Sequence, residues 1–213
     1  MFDAGAAGVT SEPITDADEV DGRTARRDRN RIAVLDVVLE LFAEGNLAPS
    51  PDDVARRSGV SLRSVYRYVA DGDDLIRAAI ARHIEKAQPL FEIDDVGKGP
   101  FAHRLEALVD TRLRAYEVIG ATARAARLRA PGNEIIRDRI DTGRRMLREQ
   151  LERQFAPELD SLEPKARRAV LAAADALTQV ETIDLYRNAR RYSSGETREL
   201  LLIALRALLI RKY

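Results

Sequence analysis

Apolar residues recur along most of this chain at steps of three and four, the spacing of one face of an α-helix. Ile32, Leu35, Leu39 and Phe42 form the first such stripe. They predict a helix over about 26–44, stopped by Gly45-Asn46. Ser50-Pro51-Asp52-Asp53 combines an N-cap serine, a proline at the first helical position and acids in the first turn. A second helix therefore starts at 51 and runs to about 57. Ser58-Gly59-Val60 breaks it, and Ser61 caps a third short helix that runs through Tyr68. Asp71-Gly72-Asp73 opens a fourth, which Pro89 ends near 88. Beyond a Gly- and Pro-containing loop at 92–100, helical patterns cover about 101–118, 119–130 and 133–155, with Pro131-Gly132 before the last. A Pro-containing linker at 156–164 leads to two long helices, about 164–190 and 196–212. No stretch sustains the alternation of a strand, so the expectation is an all-α fold of about nine helices.

Composition agrees. Of 213 residues, 45% are apolar and 33% charged, the balance of a globular chain, and Ala, Leu, Arg and Glu are strong helix formers. The absence of cysteine excludes disulfides, thiolate zinc sites and thiol catalysis, and fits a reducing cytosol. The longest apolar run, 200–210, is interrupted by Arg206 and is about half what a bilayer span needs. With no signal-peptide pattern either, a cytoplasmic protein without a membrane partner is expected. Net charge is zero, but its distribution is uneven. Residues 1–22 carry six acids and no Lys or Arg, and read as a disordered acidic tail. Arg23, Arg26, Arg27, Arg29 and Arg31 follow at once, opposed by Asp28, a switch of sign that matters to a polyanion.

The segment most telling of function runs from Asp53 to Tyr66 and reads helix, tight turn, helix. Ala55 is small where two helices approach, and Gly59 takes positive φ in the turn without steric cost. Val60 and Val65 are apolar and bury between the helices. Ser61 caps the second helix, whose free amides and positive dipole end suit a phosphate. In a helix-turn-helix that second helix enters the major groove of DNA.

On these residues the chain resembles the tetracycline-repressor (TetR) family of bacterial regulators. The matching positions are Arg31-Ile32, Leu35 to Phe42, Glu44-Gly45, Asp53-Val54-Ala55, Ser58 to Ser61, Val65 to Tyr68 and Leu75. Later, Glu181 to Leu185 resembles a segment of the penultimate helix in many members. The resemblance implies a helix-turn-helix DNA-binding domain at 23–70 and a helical regulatory and dimerisation domain at 71–213. It places Leu62, Arg63 and Ser64 at base-reading positions, and Ser50, Ser61, Tyr66 and Tyr68 at phosphate contacts. Arg67, beside them, is grouped with the DNA-binding residues, and Arg26 and Arg27 can reach backbone or minor groove. Two positions depart from the family. Gly72, among three aspartates, stands where many members carry a phosphate-binding Lys, and Leu62 stands where Lys is common.

The last two helices carry more apolar surface than an exposed pair tolerates, and the Ala-rich stretch at 172–176 lets helices pack closely. Two helices from each subunit would form a four-helix interface, so a homodimer is expected. Its two recognition helices would sit about 34–36 Å apart on a pseudo-palindromic operator in double-stranded DNA. The resemblance implies that the helices between hold a small-molecule effector, with Tyr116, Arg124, Arg127, Thr178 and Thr182 as candidate polar lining. His83 and His103 are further candidates. No catalytic motif, phosphate-binding loop or metal-ligand set is present in the sequence, so neither an enzyme nor a cofactor is expected. The leading reading is a dimeric repressor released by a small molecule. The alternative is a helical dimer for ligand or protein sequestration that binds DNA weakly.

Overall fold

Two apolar cores organise the helices. The computed structural model describes residues 16–210, with their side chains from 24 onward, and within these it is all-α, with ten α-helices. The first core is built by α1 (Asp16–Ala43), α2 (Pro51–Ser58), α3 (Leu62–Tyr68) and the first half of α4 (Gly72–Ala87). Val34, Val38, Phe42, Val54, Val65 and Leu75 are fully buried there. The end of α5 (Phe101–Arg129) and the start of α6 (Glu134–Gln154) add Ala125, Ala126 and Ile136 to the same core. The second core joins the first half of α5 and the end of α6 to α7 (Ala156–Asp160), α8 (Pro164–Thr178), α9 (Val180–Asp184) and α10 (Ser194–Leu209). The boundary expected at 70–71 thus falls beside a helix, α4, that belongs to the head core. No described helix is long and apolar enough to cross a membrane.

Several boundaries differ from the sequence reading, each for a physical reason. The first helix begins at Asp16, so 16–22 are helical rather than disordered. The rest of that tail, 1–15, and the end of the helix expected to reach 212 lie outside the described residues. The two helices expected at 101–118 and 119–130 are one, α5. Gly120 does not break it, because the Tyr116 ring lies 3.0 Å from where a Cβ would stand and fills the gap. The helix expected at 164–190 is instead divided. Gln179 is extended (φ −72°, ψ 152°), α9 follows, and a π-helical turn occupies Leu185–Ala189. No Gly or Pro marks this break. Side chains satisfy the backbone around it, since Thr182 Oγ1 donates to the Ala176 carbonyl and Thr178 Oγ1 to that of Ala174. The linker at 156–164 contains α7, and α10 starts two residues early on a Ser193–Glu196 capping box.

The apolar circumference of α10 resolves into two sides. Leu201, Leu205 and Leu209 enter the second core. Leu200, Ile203 and Ile210 stay 41%, 61% and 45% exposed, and Ala169, Ala172 and Ala176 are exposed on α8.

One buried cation pins the far end of the second core. Arg104, at the start of α5, donates to Glu158 of α7 at 2.5 and 2.9 Å. It also donates to the carbonyls of Gln154 and Gly99, and its guanidinium lies 5.7 Å from the Phe155 ring centroid. Gln154 returns bonds to the Gly97 amide and the Arg104 carbonyl. Removing one partner of such a pair strands the other charge, whereas replacing both with apolar groups is tolerated. Glu158→Ala is therefore expected to cost about 3 kcal/mol in urea unfolding. The double variant Arg104→Met, Glu158→Leu should recover most of that loss.

Candidate functional site

The head presents a short helix whose two faces differ. On α3, Val65 points inward and is fully buried, while Arg63, Tyr66 and Arg67, at i, i+3 and i+4, are all exposed. Ser61 caps the helix, accepting from the Ser64 amide at 3.3 Å. Gly59, in the left-handed region at φ 68°, ends α2 and sets the angle between the two helices. Leu62 and Ser64 are half-buried, flanking the exposed face. Ser50 begins α2 in a reciprocal capping box, with its Oγ 2.7 Å from Asp53 Oδ2 and accepting from the Asp53 amide at 3.1 Å. Those bonds hold the Asp53 carboxyl below the usual carboxylate range.

Tyr66 and Tyr68 separate sharply. Tyr66 is 50% exposed. Tyr68 packs against the head core, its hydroxyl buried without a hydrogen-bond partner, and the Arg67 guanidinium lies 5.7 Å from its ring centroid. The hydroxyl expected at a phosphate is therefore inside the head. Arg26 and Arg27 are exposed on the N-terminal part of α1, as are Arg29 and Arg31. The aspartates around Gly72 have structural work: Asp71 caps α4, Asp74 accepts from the Ala70 amide, and Asp73 pairs with Arg129 of α5.

A cavity of about 1100 Å³ lies beneath the head, walled by α4, the 3-10 turn Gln88–Phe91, α5, α6 and the start of α9. Of the five polar residues expected to line it, Arg127 does. Thr178 is buried on its own helix, and Thr182 faces a separate shallow groove between α8 and α10. Tyr116 and Arg124 turn instead to Asp184, which accepts from Tyr116 at 2.8 Å, Arg124 at 2.9 Å, Arg127 at 2.8 Å and Asn188 at 2.7 Å. A search for polar residues missed the cavity because its wall is largely apolar: Phe91, Ile119, Ile135, Met146 and Leu147. The usable signal was Ile135 and Met146 on an otherwise charged helix, where they remain about half exposed.

His83 ties the cavity to the helix that leaves the head. Its Nδ1 lies 2.6 Å from Oγ1 of Thr122, a buried residue of the cavity wall. Burial, with help from Lys86 and against Asp36, lowers the His83 pKa. His103 is exposed at the start of α5 and lines neither cavity.

Two expectations follow from this geometry. Tyr68→Phe removes a hydroxyl that is buried and unpartnered, so it should leave unfolding stability unchanged or raise it by about 1 kcal/mol. The second concerns acid. Burial would raise the Asp184 carboxyl, but hydrogen bonds from Arg124, Tyr116 and Asn188 and the charge of Arg127 outweigh it and hold the pKa below the usual value near 3.8. A depressed folded pKa contributes stability above the unfolded value and loses it as pH falls through the folded one. Thermal melts of the wild type and Asp184→Asn should therefore differ at neutral pH and converge as pH drops below about 4.

No protein-family model matches the chain. Over 88 residues, 41% of its length, it is 33% identical to the HTH-type transcriptional repressor LfrR of Mycolicibacterium smegmatis, and the match spans 46% of that relative, less than half its length. The crystal structure of a TetR-family transcriptional regulator from Streptomyces coelicolor aligns with a TM-score of 0.65 over 85% of this chain and 80% of that one, at 22% identity. The resemblance carried by the helix-turn-helix residues is thus matched across most of the molecule: the chain has the fold of a TetR-family regulator.

Proposed function

We propose that this chain is a TetR-family transcriptional repressor that binds a pseudo-palindromic operator as a homodimer and releases it when a small molecule occupies the cavity under its head. The observation that carries this reading is the outer face of α3, where Arg63, Tyr66 and Arg67 stand exposed beside a capped helix start. Such a face presents cationic and hydrogen-bonding groups to a groove and free amides to a phosphate. The N-terminal arginines of α1 extend the basic surface. The similarity to the Mycolicibacterium relative, a transcriptional repressor, supports the same reading.

The dimer is inferred from the outer side of α8 and α10. Leu200, Ile203 and Ile210 beside Ala169, Ala172 and Ala176 form an apolar, small-residue surface suited to a second copy. Release by a ligand is inferred from α4. It contributes Leu75, Ile76, Ala79 and Ile80 to the head core and Ile84 and Glu85 to the cavity wall, so an occupant bears on the helix that carries the head. The sequestration alternative drew on the acidic tail and on Gly72, among aspartates, where a phosphate-binding Lys is usual. Those aspartates serve as caps and in an ion pair, which favours the regulatory reading.

Selection of binding sites from random DNA, repeated with Arg63→Ala, tests the proposal. The expected outcome is an inverted repeat whose recovery needs Arg63, with specific affinity falling by about 1–3 kcal/mol and binding to random DNA retained. Equal loss on both, or no enriched repeat from a folded dimer, would argue for sequestration.

A further inference from the structure

Behind one wall of the cavity lies a buried arginine that the fold does not neutralise. Arg112 of α5 is 2% exposed. Its Nη1 donates to Gln150 Oε1 at 2.6 Å and its Nη2 to the Leu147 carbonyl at 3.0 Å, while its Nε has no partner. Neither acceptor carries a charge. Asp175 is the carboxylate whose field reaches the group, and it is already paired with Arg148 and bonded by Gln179. Burial pushes the guanidinium down to about 10, which still leaves it protonated at neutral pH.

An isolated buried charge is costly unless an opposite charge pairs with it. The surroundings of Arg112 indicate where such a charge would sit. Its two acceptors, Leu147 and Gln150, both line the cavity. So does Phe91, whose carbonyl accepts from Gln150 Nε2 at 2.6 Å. One amide side chain therefore separates a cation from the space beneath the head. The cavity is also lined by five acids: Glu85, Glu92, Asp138 and Glu149 are solvent-exposed, where screening blunts their fields, and the half-buried Glu181 is paired with Arg144. Arg112 acts from the low-dielectric interior, where the same charge counts for more. Arg139 and Arg153 stand on the same α6 wall but are exposed, so the same screening applies to them.

Taking the cavity as the effector site, we propose that the effector is an organic anion: a bulky apolar body packed on Phe91, Ile119, Ile135 and Met146, with a carboxylate or sulfonate seated on the α6 wall against Gln150 and Arg112. The anion neutralises the buried cation, and the apolar body supplies the area.

Two dyes that share a ring system separate charge from apolar burial: anilinonaphthalene sulfonate and its uncharged parent, phenylnaphthylamine. Both are titrated by fluorescence against the full chain, against Arg112→Met and Gln150→Ala, and against Ala123→Trp, which fills the cavity. The sulfonate is expected to bind the wild type about ten-fold more tightly than the neutral dye. Arg112→Met, an apolar replacement of similar size that such sites tolerate, should bring the ratio to about one and leave the neutral dye's affinity unchanged. Gln150→Ala removes the screen over the guanidinium and should raise the ratio, which keeps the test open if the methionine variant does not fold. Ala123→Trp should abolish both. Equal affinities in the wild type, a ratio indifferent to Arg112→Met, or sulfonate binding that survives Ala123→Trp would overturn the anionic effector while the neutral dye still reports a cavity. Failure of both dyes to bind the wild type would overturn the cavity as an effector site, and the anion with it.

Discussion

Everything in this molecule depends on one helix being shared by two environments. A head built from α1, α2 and α3 alone encloses little apolar surface, and units that small are marginal. Here the deficit is met from outside: α4 supplies Leu75, Ile76, Ala79 and Ile80, and the ends of α5 and α6 supply Ala125, Ala126 and Ile136. The head cannot hinge as a separate bead without opening its own core. The same α4 continues to Ile84 and Glu85 in the cavity wall, and the 3-10 turn that follows it adds Gln88. Because packed interiors resist small displacements, an occupant of the kind proposed would have its effect on the cavity wall passed along α4 rather than absorbed locally.

Polar ties sharpen that coupling. Apolar contacts let helices slide, but a buried hydrogen bond fixes register, since breaking it leaves groups unsatisfied. His83 of α4 is tied in this way to Thr122 of α5 at the cavity, while Asp73 at the start of α4 adds a weaker, solvent-exposed pair with Arg129 at the end of α5. Farther down, Asp184 gathers Tyr116, Arg124, Arg127 and Asn188 where α9 passes into its π-helical turn, and burial with the neighbouring carboxylate pushes the Tyr116 hydroxyl up to about 12. Arg127 belongs to both sets, lining the cavity while bonding Asp184. The cavity is therefore bounded on several sides by groups with discrete partners.

What the sequence made legible was local. The capping serines, the αL glycine and the apolar stripe of α1 act within a few residues, so Ser50, Ser61 and Gly59 could be placed without any tertiary information, and the structure has them in those roles. Features set by distant packing were not legible. A division was expected near 118–119, yet the Tyr116 ring packs over Gly120 and α5 is continuous there. The division at Gln179 carries no breaker residue and is held by hydroxyl bonds from Thr178 and Thr182. Polar residues expected to face a ligand found protein partners instead, because a buried polar group is satisfied first by what surrounds it. The cavity is lined by the residues such reasoning passes over, the exposed Ile135 and Met146 among them.

The zero net charge, which advertised no polyanion partner, has a structural resolution. Many of the acids are committed inside the protein. Asp53, Asp71 and Glu196 cap helices, and Glu158, Asp184, Glu181, Asp175 and Asp110 accept from arginines across helix contacts. A carboxylate held this way offsets a nearby cation and projects little field beyond it. Arg63 has no carboxylate partner among the described residues and stands on the outer face of α3 with Arg67. Net charge sums both populations and so hides the difference between them. For a protein proposed to grip a phosphate backbone, the relevant quantity is the charge left uncommitted on the face that meets it, and on α3 that charge is positive.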